Sequence, residues 1–136
     1  MKAFDLLDRL AAATNAHRLD ELVDCFAPDY VNVTPAHPAR SFHGQAQVRA
    51  NWVQILTGVP DLQAQVLDRA VDGTTVWSEW EMSGTRRDGQ PHHMRGVVIF
   101  TVRDGRAATG RFYLEPVDTR ADDVNTAIQA TVGTGP

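Results

Sequence analysis

Two glutamates, Glu79 and Glu81, lie two positions apart in a run of alternating apolar and polar residues. Side chains alternate along a strand, so both would lie on one face together with Trp77. Their backbones would be about 7 Å apart at a strand rise of about 3.3 Å per residue. In an apolar cavity, desolvation and mutual repulsion would raise the pKa of at least one carboxyl group, and the pair would then supply both a base and an acid. The pattern alone does not say which of the two glutamates would be the base.

The same alternation permits the reverse arrangement, in which Val76, Trp80 and Met82 form the core and both glutamates are solvated. Glutamate is rarely buried without a partner, so the pattern alone does not choose between the two faces. The facing of this strand therefore separates two classes of function. Inward glutamates predict an acid–base enzyme, and outward glutamates favour a binding module without turnover.

Asn32 and Thr34 share a strand face with Tyr30. In the functional interpretation, their side chains hydrogen-bond a substrate oxygen or a water beside Glu81. The alternative is ordinary strand alternation with no role in chemistry.

His92 has the same strand parity as Met94 and Val98, which we expect to face inward. Its imidazole can therefore reach the rim of a cavity and carry a proton near neutral pH. The alternative is a surface histidine beside the Asp88-Gly89 turn.

Metal and cofactor chemistry find no support in the spacing of the candidate ligands. His92 and His93 are adjacent on a strand and must point to opposite faces, and no His-x-His, Cys-x-x-Cys or Glu-x-x-His occurs. Nucleophile elbows, glycine-rich phosphate loops and dinucleotide fingerprints are also absent from the sequence. Cys25 is the single cysteine, which excludes an internal disulfide, and no histidine stands at a spacing that suggests a thiol nucleophile. We predict that the chain uses neither a metal nor a cofactor.

The elements that must position these residues follow from the hydrophobic period. Three helices are predicted in the N-terminal half, because apolar residues recur there at helical spacing. The stripes are Phe4, Leu7, Leu10 and Ala11; Leu19, Leu22, Val23 and Phe26; and Val48, Trp52, Ile55, Leu56 and Val59. Pro28 should end the second helix, and residues 30–34 form a β-rich run.

The second half of the chain changes to a period of two. Three Asp-Gly dipeptides, at residues 72–73, 88–89 and 104–105, recur every 16 residues, and Asp-Gly between alternating hydrophobic residues is a hairpin signal. We predict four long antiparallel strands over residues 62–71, 74–85, 91–103 and 106–117.

Helices followed by a long antiparallel sheet indicate an α+β fold, with three N-terminal helices packed on a strongly curved antiparallel sheet and a cone-shaped cup between them. We expect apolar residues to line this cup and bind a small, largely apolar metabolite. The expected lining residues are Leu10, Trp52, Ile55, Trp77, Met94, Val98, Phe112 and Leu114.

Residues 1–117 are predicted to form a single domain. Residues 118–136 are a tail in which Val124, Ile128 and Val132 have weak helical spacing, so it either docks a short helix or frays. Arg111, Tyr113 and Glu115 would lie on the outer face of the sheet, opposite Phe112 and Leu114. We expect that outer face to form a homodimer.

Composition excludes several other classes of function. The 136 residues have a formal charge of −4, with 13 basic and 17 acidic residues and no concentrated basic face, so nucleic acid is not an expected partner. Apolar runs are shorter than the roughly 20 residues of a membrane span, and charges within the first fifteen residues argue against a signal peptide. We therefore expect a cytoplasmic protein without membrane contact.

Several segments together carry a family resemblance over roughly residues 3–117. They are Phe26-Ala27-Pro28-Asp29, Thr34-Pro35, the run from Arg95 to Arg106 and the run from Gly110 to Pro116. In this order after two helices, they resemble the SnoaL-like branch of the nuclear transport factor 2 superfamily. That superfamily includes ketosteroid isomerases, limonene-type epoxide hydrolases, polyketide cyclases, dehydratases and members without catalysis, so the resemblance specifies the fold better than the activity.

Carried over residue by residue, the resemblance removes some activities. The general base, the oxyanion tyrosine and the protonated aspartic acid of the steroid isomerases fall on Thr34, Leu10 and Val98. A cyclase aspartate in the last strand would fall near Phe112 or Tyr113. None of these positions holds the required group.

For the epoxide hydrolases, one carboxylate position survives as Glu81, and the water-holding positions fall on Asn32 and Thr34. The arginine position is Glu79 and the second aspartate position is Phe112, which departs from that mechanism. The resemblance thus implies an acid–base enzyme of the isomerase, cyclase, dehydratase or epoxide-opening type, with Glu81 as the general base and Glu79 as its proton-sharing partner. The alternative is a binding or structural dimeric module without turnover.

Overall fold

The computed structural model describes residues 2–134, which contain four α-helices and six strands. The helices are α1 (Lys2–Asn15), α2 (Leu19–Asp24), α3 (Gln45–Gly58) and α4 (Val124–Val132). The strands are β1 (Phe26–Val33), β2 (Phe42–His43), β3 (Gln63–Asp72), β4 (Thr75–Thr85), β5 (Pro91–Arg103) and β6 (Arg106–Pro116). A short 3-10 helix, Pro38–Arg40, lies between β1 and β2.

All six strands belong to one sheet in the order β2-β1-β6-β5-β4-β3. Strands β3 to β6 are joined as antiparallel neighbours, and β1 runs parallel to β6. Register shifts interrupt the β3–β4, β5–β6 and β1–β6 pairings, and such bulges bend strands and increase their twist. The long sheet therefore curves, and it remains open because β2 and β3 are its edges.

Gly96 marks the closest approach of two neighbouring strands. It pairs with Leu114 on β6 and has a φ of 156°. A Cβ at this position would overlap the carbonyl oxygen of Tyr113. Glycine is therefore required at this point of the β5–β6 pairing.

The main core lies between the concave face of the sheet and helices α1 to α3. Leu6, Leu7 and Leu22 from the helices pack in one cluster with Trp80 and Phe100 from the sheet, and each of these residues is at most 1% exposed. The buried polar groups within this core have partners. The indole Nε1 of Trp80 donates to Ser78 Oγ (2.9 Å), and Ser78 Oγ donates to the carbonyl of Val98 (2.7 Å).

The α+β architecture predicted from the sequence is confirmed, and the four long strands lie within a residue or two of their predicted ends. Two local predictions are wrong. The second helix ends at Asp24 rather than at Pro28, because Phe26 and Pro28 already belong to β1. The sheet is mixed rather than wholly antiparallel, since β1 is a full strand that pairs in parallel with β6.

The C-terminal segment contains the short helix α4. Asp123 caps it by accepting a hydrogen bond from the backbone N–H of Thr126 (2.9 Å), and Gly133 ends it with a φ of 74°. Every residue from 118 to 134 is exposed. Within the described residues, no helix is long and apolar enough to cross a membrane.

Candidate functional site

A cavity of about 350 Å³ opens between the concave face of the sheet, α3 and the segment around β2. This cavity is called the cup below. Its apolar lining consists of Phe26, Tyr30, Phe42, Val48, Trp52, Ile55, Met82, Met94, Phe112 and Leu114. Its polar lining consists of Asn32, Thr34, Arg40, Asn51, His92 and Glu115. A largely apolar cavity of this size with a few polar groups is typical of a small-molecule site.

Three side chains on the inner face of β1 and just beyond it form a hydrogen-bonded row. The hydroxyl of buried Tyr30 donates to Asn32 Oδ1 (2.8 Å), and Asn32 Nδ2 donates to Thr34 Oγ1 (3.3 Å). A Cβ on Gly110 of the neighbouring strand would overlap the Tyr30 hydroxyl, so this glycine leaves the space that the row needs. Burial raises the pKa of Tyr30 far above its ordinary value of 10.0, which keeps the phenol protonated and able to donate.

The row gives the Thr34 hydroxyl a direction. Because Thr34 Oγ1 accepts from Asn32, the hydroxyl hydrogen stays available, and none of the described residues accepts it. The backbone N–H of Thr34 donates to Ser41 Oγ (3.1 Å), which holds the end of β1 in place. Thr34 can therefore donate a hydrogen bond to an oxygen of a molecule in the cup.

His92 is the imidazole in the cup wall. It lies near the start of β5 opposite Gly84 and is half-buried. Burial, followed by the charges of Arg86 and His93, holds the pKa of His92 below its ordinary value of 6.5. The ring is therefore neutral at pH 7, with one nitrogen free to accept a proton.

The mouth of the cup carries the remaining charged groups. His37 Nε2 lies 2.9 Å from Glu115 Oε1, which joins the segment after β1 to the end of β6. Arg40, the last residue of the 3-10 helix, lies in the same part of the wall. The side chain of Glu115, which the sequence placed on the outer face, thus reaches the mouth because it stands at the strand end.

Glu79 and Glu81 lie on the outer face of the sheet, and neither lines the cup. Glu81 Oε2 is 2.8 Å from His93 Nε2, and Arg95 lies 3.5 Å from Glu79 and 3.9 Å from Glu81. The hydrogen bond from His93, with the charge of Arg95, holds the pKa of Glu81 below its ordinary value of 4.5. The predicted inward facing of this glutamate pair is therefore wrong, and the raised pKa expected for it does not occur on Glu81.

The reason for this reversal is the register of the β4–β5 hairpin. The strands are joined by five residues, 86–90, with Thr85 opposite Pro91, and the backbone of Arg86 bonds with Gln90 and Gly89. In this register Glu81 stands opposite Arg95, and Met82 stands opposite Met94. Met82 therefore shares the cup face with Met94, and both glutamates share the opposite face with Arg95.

The other predicted lining residues divide into three groups. Trp52, Ile55, Met94, Phe112 and Leu114 lie in the cup wall, as do the polar candidates Asn32, Thr34 and His92. Leu10 and Val98 are buried in the core beneath the wall rather than lining it. Trp77 shares the outer face with Glu79 and is 46% exposed, so its predicted facing is also wrong.

Several residues of the cup carried no signal in the sequence analysis. Arg40 and Phe42 lie between the β-rich run 30–34 and the third helix, where the hydrophobic period predicts no element, and Asn51 is a polar residue on α3. Met82, by contrast, lies on the strand face that the reverse arrangement of Glu79 and Glu81 turns inward. Within residues 2–134, no three His, Cys, Asp or Glu side chains are grouped so as to hold a metal ion.

Comparisons with known proteins agree with this fold. A family model described as a SnoaL-like domain matches residues 7–109. IdmH, a proposed polyketide cyclase from Streptomyces antibioticus, has a similar structure with a TM-score of 0.71 and 23% identity, over 96% of this chain and 99% of that one. A proposed isomerase from Bacillus subtilis matches with a TM-score of 0.75 and 17% identity, over 98% and 94% of the two chains. A proposed polyketide cyclase from Sinorhizobium meliloti matches with a TM-score of 0.63 and 25% identity, over 82% and 94%. No curated protein gives a significant match.

Proposed function

The chain belongs to the family of SnoaL-like domains, and on that premise we propose that its cup binds a small, largely apolar molecule and catalyses a proton transfer on it. The reaction would be of the isomerisation or cyclisation class. One observation carries this proposal: a directed hydroxyl donor, Thr34, and a neutral imidazole, His92, line the same apolar cavity.

In the proposed reaction, a carbonyl oxygen of the bound molecule accepts a hydrogen bond from the Thr34 hydroxyl. The imidazole of His92 then removes a proton from the carbon next to that carbonyl, and negative charge develops on the oxygen. Thr34 stabilises this charge, with Asn32 and Tyr30 holding the hydroxyl in place. Where a carbon–carbon double bond is conjugated with the enolate, the protonated His92 returns the proton to the far carbon of that system and the double bond shifts. In the cyclisation, the enolate carbon attacks a second carbonyl of the same molecule and His92 protonates the resulting alkoxide.

One of the expected reaction classes, epoxide opening, suits the cup less well. Epoxide opening needs a carboxylate to activate water in the related hydrolases, and both glutamates expected for that role lie outside the cup. Among the lining residues the carboxylate is Glu115, which is paired with His37 at the mouth. Relatives of this fold named as proposed cyclases and isomerases support the two classes retained here.

The second candidate function is binding without turnover. It is favoured by the same displacement of Glu79 and Glu81, because the cup then holds His92 as its main titratable group away from the mouth. The two candidates make the same prediction for ligand affinity and opposite predictions for proton exchange.

Exchange of deuterium for hydrogen at the carbon next to the carbonyl of small aromatic ketones, such as 1-indanone and 2-tetralone, tests the proposal. The protein is incubated with each ketone in D₂O, and loss of the proton signal next to the carbonyl is followed by NMR. General acid–base groups typically contribute 10²–10⁴-fold, so His92→Gln should lower the enzymatic exchange rate by about that factor. His93→Gln is the matched control, because its imidazole pairs with Glu81 on the outer face.

Binding of the same ketones is measured in parallel through the fluorescence of Trp52 in the cup wall. If the ketones bind but exchange no faster than in buffer, the chain is a binding module and not an enzyme. Equal exchange by His92→Gln and the unmodified protein would remove His92 from the mechanism.

A further inference from the structure

Arg40 differs from nearly all other arginines of the chain. Of the twelve arginines, ten make a hydrogen bond or an ion pair through the guanidinium group with another described residue. Arg40 and Arg111 make none within residues 2–134. Arg40 lines the cup, and Arg111 does not. The mouth of the cup therefore holds a guanidinium group that no side chain of the fold uses.

No carboxylate in the cup wall neutralises this charge. Glu115 is the acidic lining residue; its Oε1 is 2.9 Å from His37 Nε2, and no ion pair joins it to Arg40. The wall also contains apolar residues, among them Phe42 and Leu114. Arg40 is exposed, so its attraction for an incoming anion is modest and depends on hydrogen bonds from the guanidinium group as well as on its charge.

The segment that carries Arg40 is held in position. The backbone N–H of Arg40 donates to the carbonyl of His37 (2.9 Å), and that of Ser41 donates to the carbonyl of Pro38 (3.1 Å). Ser41 Oγ in turn accepts from the backbone N–H of Thr34 (3.1 Å). The turn that ends in Arg40 is thus tied to the residue that carries the directed hydroxyl of the cup.

From these observations we propose that the molecule bound in the cup is an apolar carboxylic acid whose carboxylate is held by Arg40 at the mouth. A planar guanidinium group matches the two oxygens of a carboxylate. The apolar body would enter between Trp52 and Phe112, toward buried Phe26. This inference rests on the proposed function, since it assigns the substrate class of the same cavity.

A matched pair of ligands tests the assignment. 2-Naphthylacetate and 2-naphthylacetamide have nearly the same shape, and only the first is an anion at pH 7.5. Their dissociation constants are measured by titration calorimetry for the unmodified protein, Arg40→Gln and Arg111→Gln. Circular dichroism verifies that each variant is folded.

We expect the unmodified protein and Arg111→Gln to bind the acid roughly three- to tenfold more tightly than the amide, as an exposed, hydrogen-bonded ion pair allows. Arg40→Gln should bind both ligands equally, with the affinity for the amide unchanged. Added salt should weaken binding of the acid and leave binding of the amide unchanged.

Equal affinity for acid and amide in the unmodified protein would overturn the role of Arg40 and leave the proposed function standing. A preference for the acid that persists in Arg40→Gln would do the same. Failure of both ligands to bind, with the ketones also unbound, would instead overturn the proposed function, and this inference would be lost with it.

Discussion

The hydroxyl of Tyr30 and the side-chain amide of Asn32 are joined by a hydrogen bond of 2.8 Å inside the wall of the cup. This bond fixes which end of the amide faces Thr34, so that Asn32 donates to the Thr34 hydroxyl instead of accepting from it. The Tyr30 hydroxyl therefore sets the direction of the hydrogen bond that Thr34 offers to a ligand. It does so through Asn32, without needing to touch the ligand's reacting atoms.

Tyr30→Phe should destabilise the fold by about 1–3 kcal/mol, because Asn32 Oδ1 is left buried without its donor. It should also weaken the hydrogen bond that Thr34 gives to a ketone. Urea denaturation measures the first effect, and the exchange assay measures the second. Tyr113→Phe is the matched control, since Tyr113 is 41% exposed on the outer face and its hydroxyl should contribute less than about 0.5 kcal/mol. Equal losses in both variants would contradict the assigned role of the Tyr30 hydroxyl.

The pH dependence of ketone exchange should report His92. Its pKa lies below 6.5, and its neutral form is the proposed base. Activity should therefore fall as the pH drops through that pKa and should be constant above it. His93→Gln removes one of the neighbouring groups that lower the pKa of His92, so its acid limb should move slightly to higher pH. A rate that falls with rising pH between 6 and 8 would exclude a neutral imidazole as the base.

Gly96→Ala should destabilise the protein strongly, by on the order of 3 kcal/mol or more, because the added methyl group overlaps the backbone of Tyr113 and the residue has a positive φ. Gly58→Ala is the matched control. Gly58 ends α3, and nothing lies within 4 Å of its added Cβ, so this change should be neutral or stabilising by up to about 1 kcal/mol. Thermal unfolding of both variants checks the contrast. A small loss of stability in Gly96→Ala would show that β5 and β6 can move apart to admit the methyl group.

We propose that two chains associate through the outer face of the sheet. Trp77 and Tyr113 are large, exposed side chains on that face, and Val31 and Val33 extend it onto β1. Sedimentation equilibrium should give about twice the chain mass of 15.0 kDa, and Trp77→Glu should give the single-chain mass. Val53→Glu on α3 is a control at an exposed apolar residue away from this face. A single-chain mass for the unmodified protein at micromolar concentration would refute the dimer.

Deletion of residues 118–136 should leave the stability and the ligand affinity of the remaining chain nearly unchanged. Every described residue of this segment is exposed, including Val124, Ile128 and Val132 of α4, so little buried surface is lost. Thermal unfolding and calorimetric titration of the shortened chain measure both effects. A substantial loss of either would show that α4 packs on the domain or on a second copy in solution.

The sequence revealed strands more reliably than it revealed which side of each strand faces inward. Alternation identified β4 and β5 because it is a local property. The facing of Glu79 and Glu81 depends on how many residues form the connecting loop, since a shift of one residue moves every side chain to the other face. The Asp104-Gly105 dipeptide forms a two-residue turn, with Arg103 opposite Arg106.

The Asp88-Gly89 dipeptide instead lies inside the five-residue loop 86–90. A two-residue turn there would have placed Glu81 opposite Gly96, on the same face as Met94. Arg87 Nε donates to the carbonyl of Thr57 on α3 (2.7 Å), and Arg86 pairs with Asp88. The first of these contacts is tertiary, and the local sequence contains no sign of it.

The parallel pairing of β1 with β6 has a consequence for the order in which the molecule is made. Phe26 pairs with Ala107 and Val33 with Arg111, so these contacts close a loop that contains most of the chain. Such closure is slow and must wait until β6 has left the ribosome and joined β5. Asn32 and Thr34 therefore line one cavity with His92 only after β6 has paired. A nascent chain that stops before β6 would expose unpaired strand edges instead of a binding site.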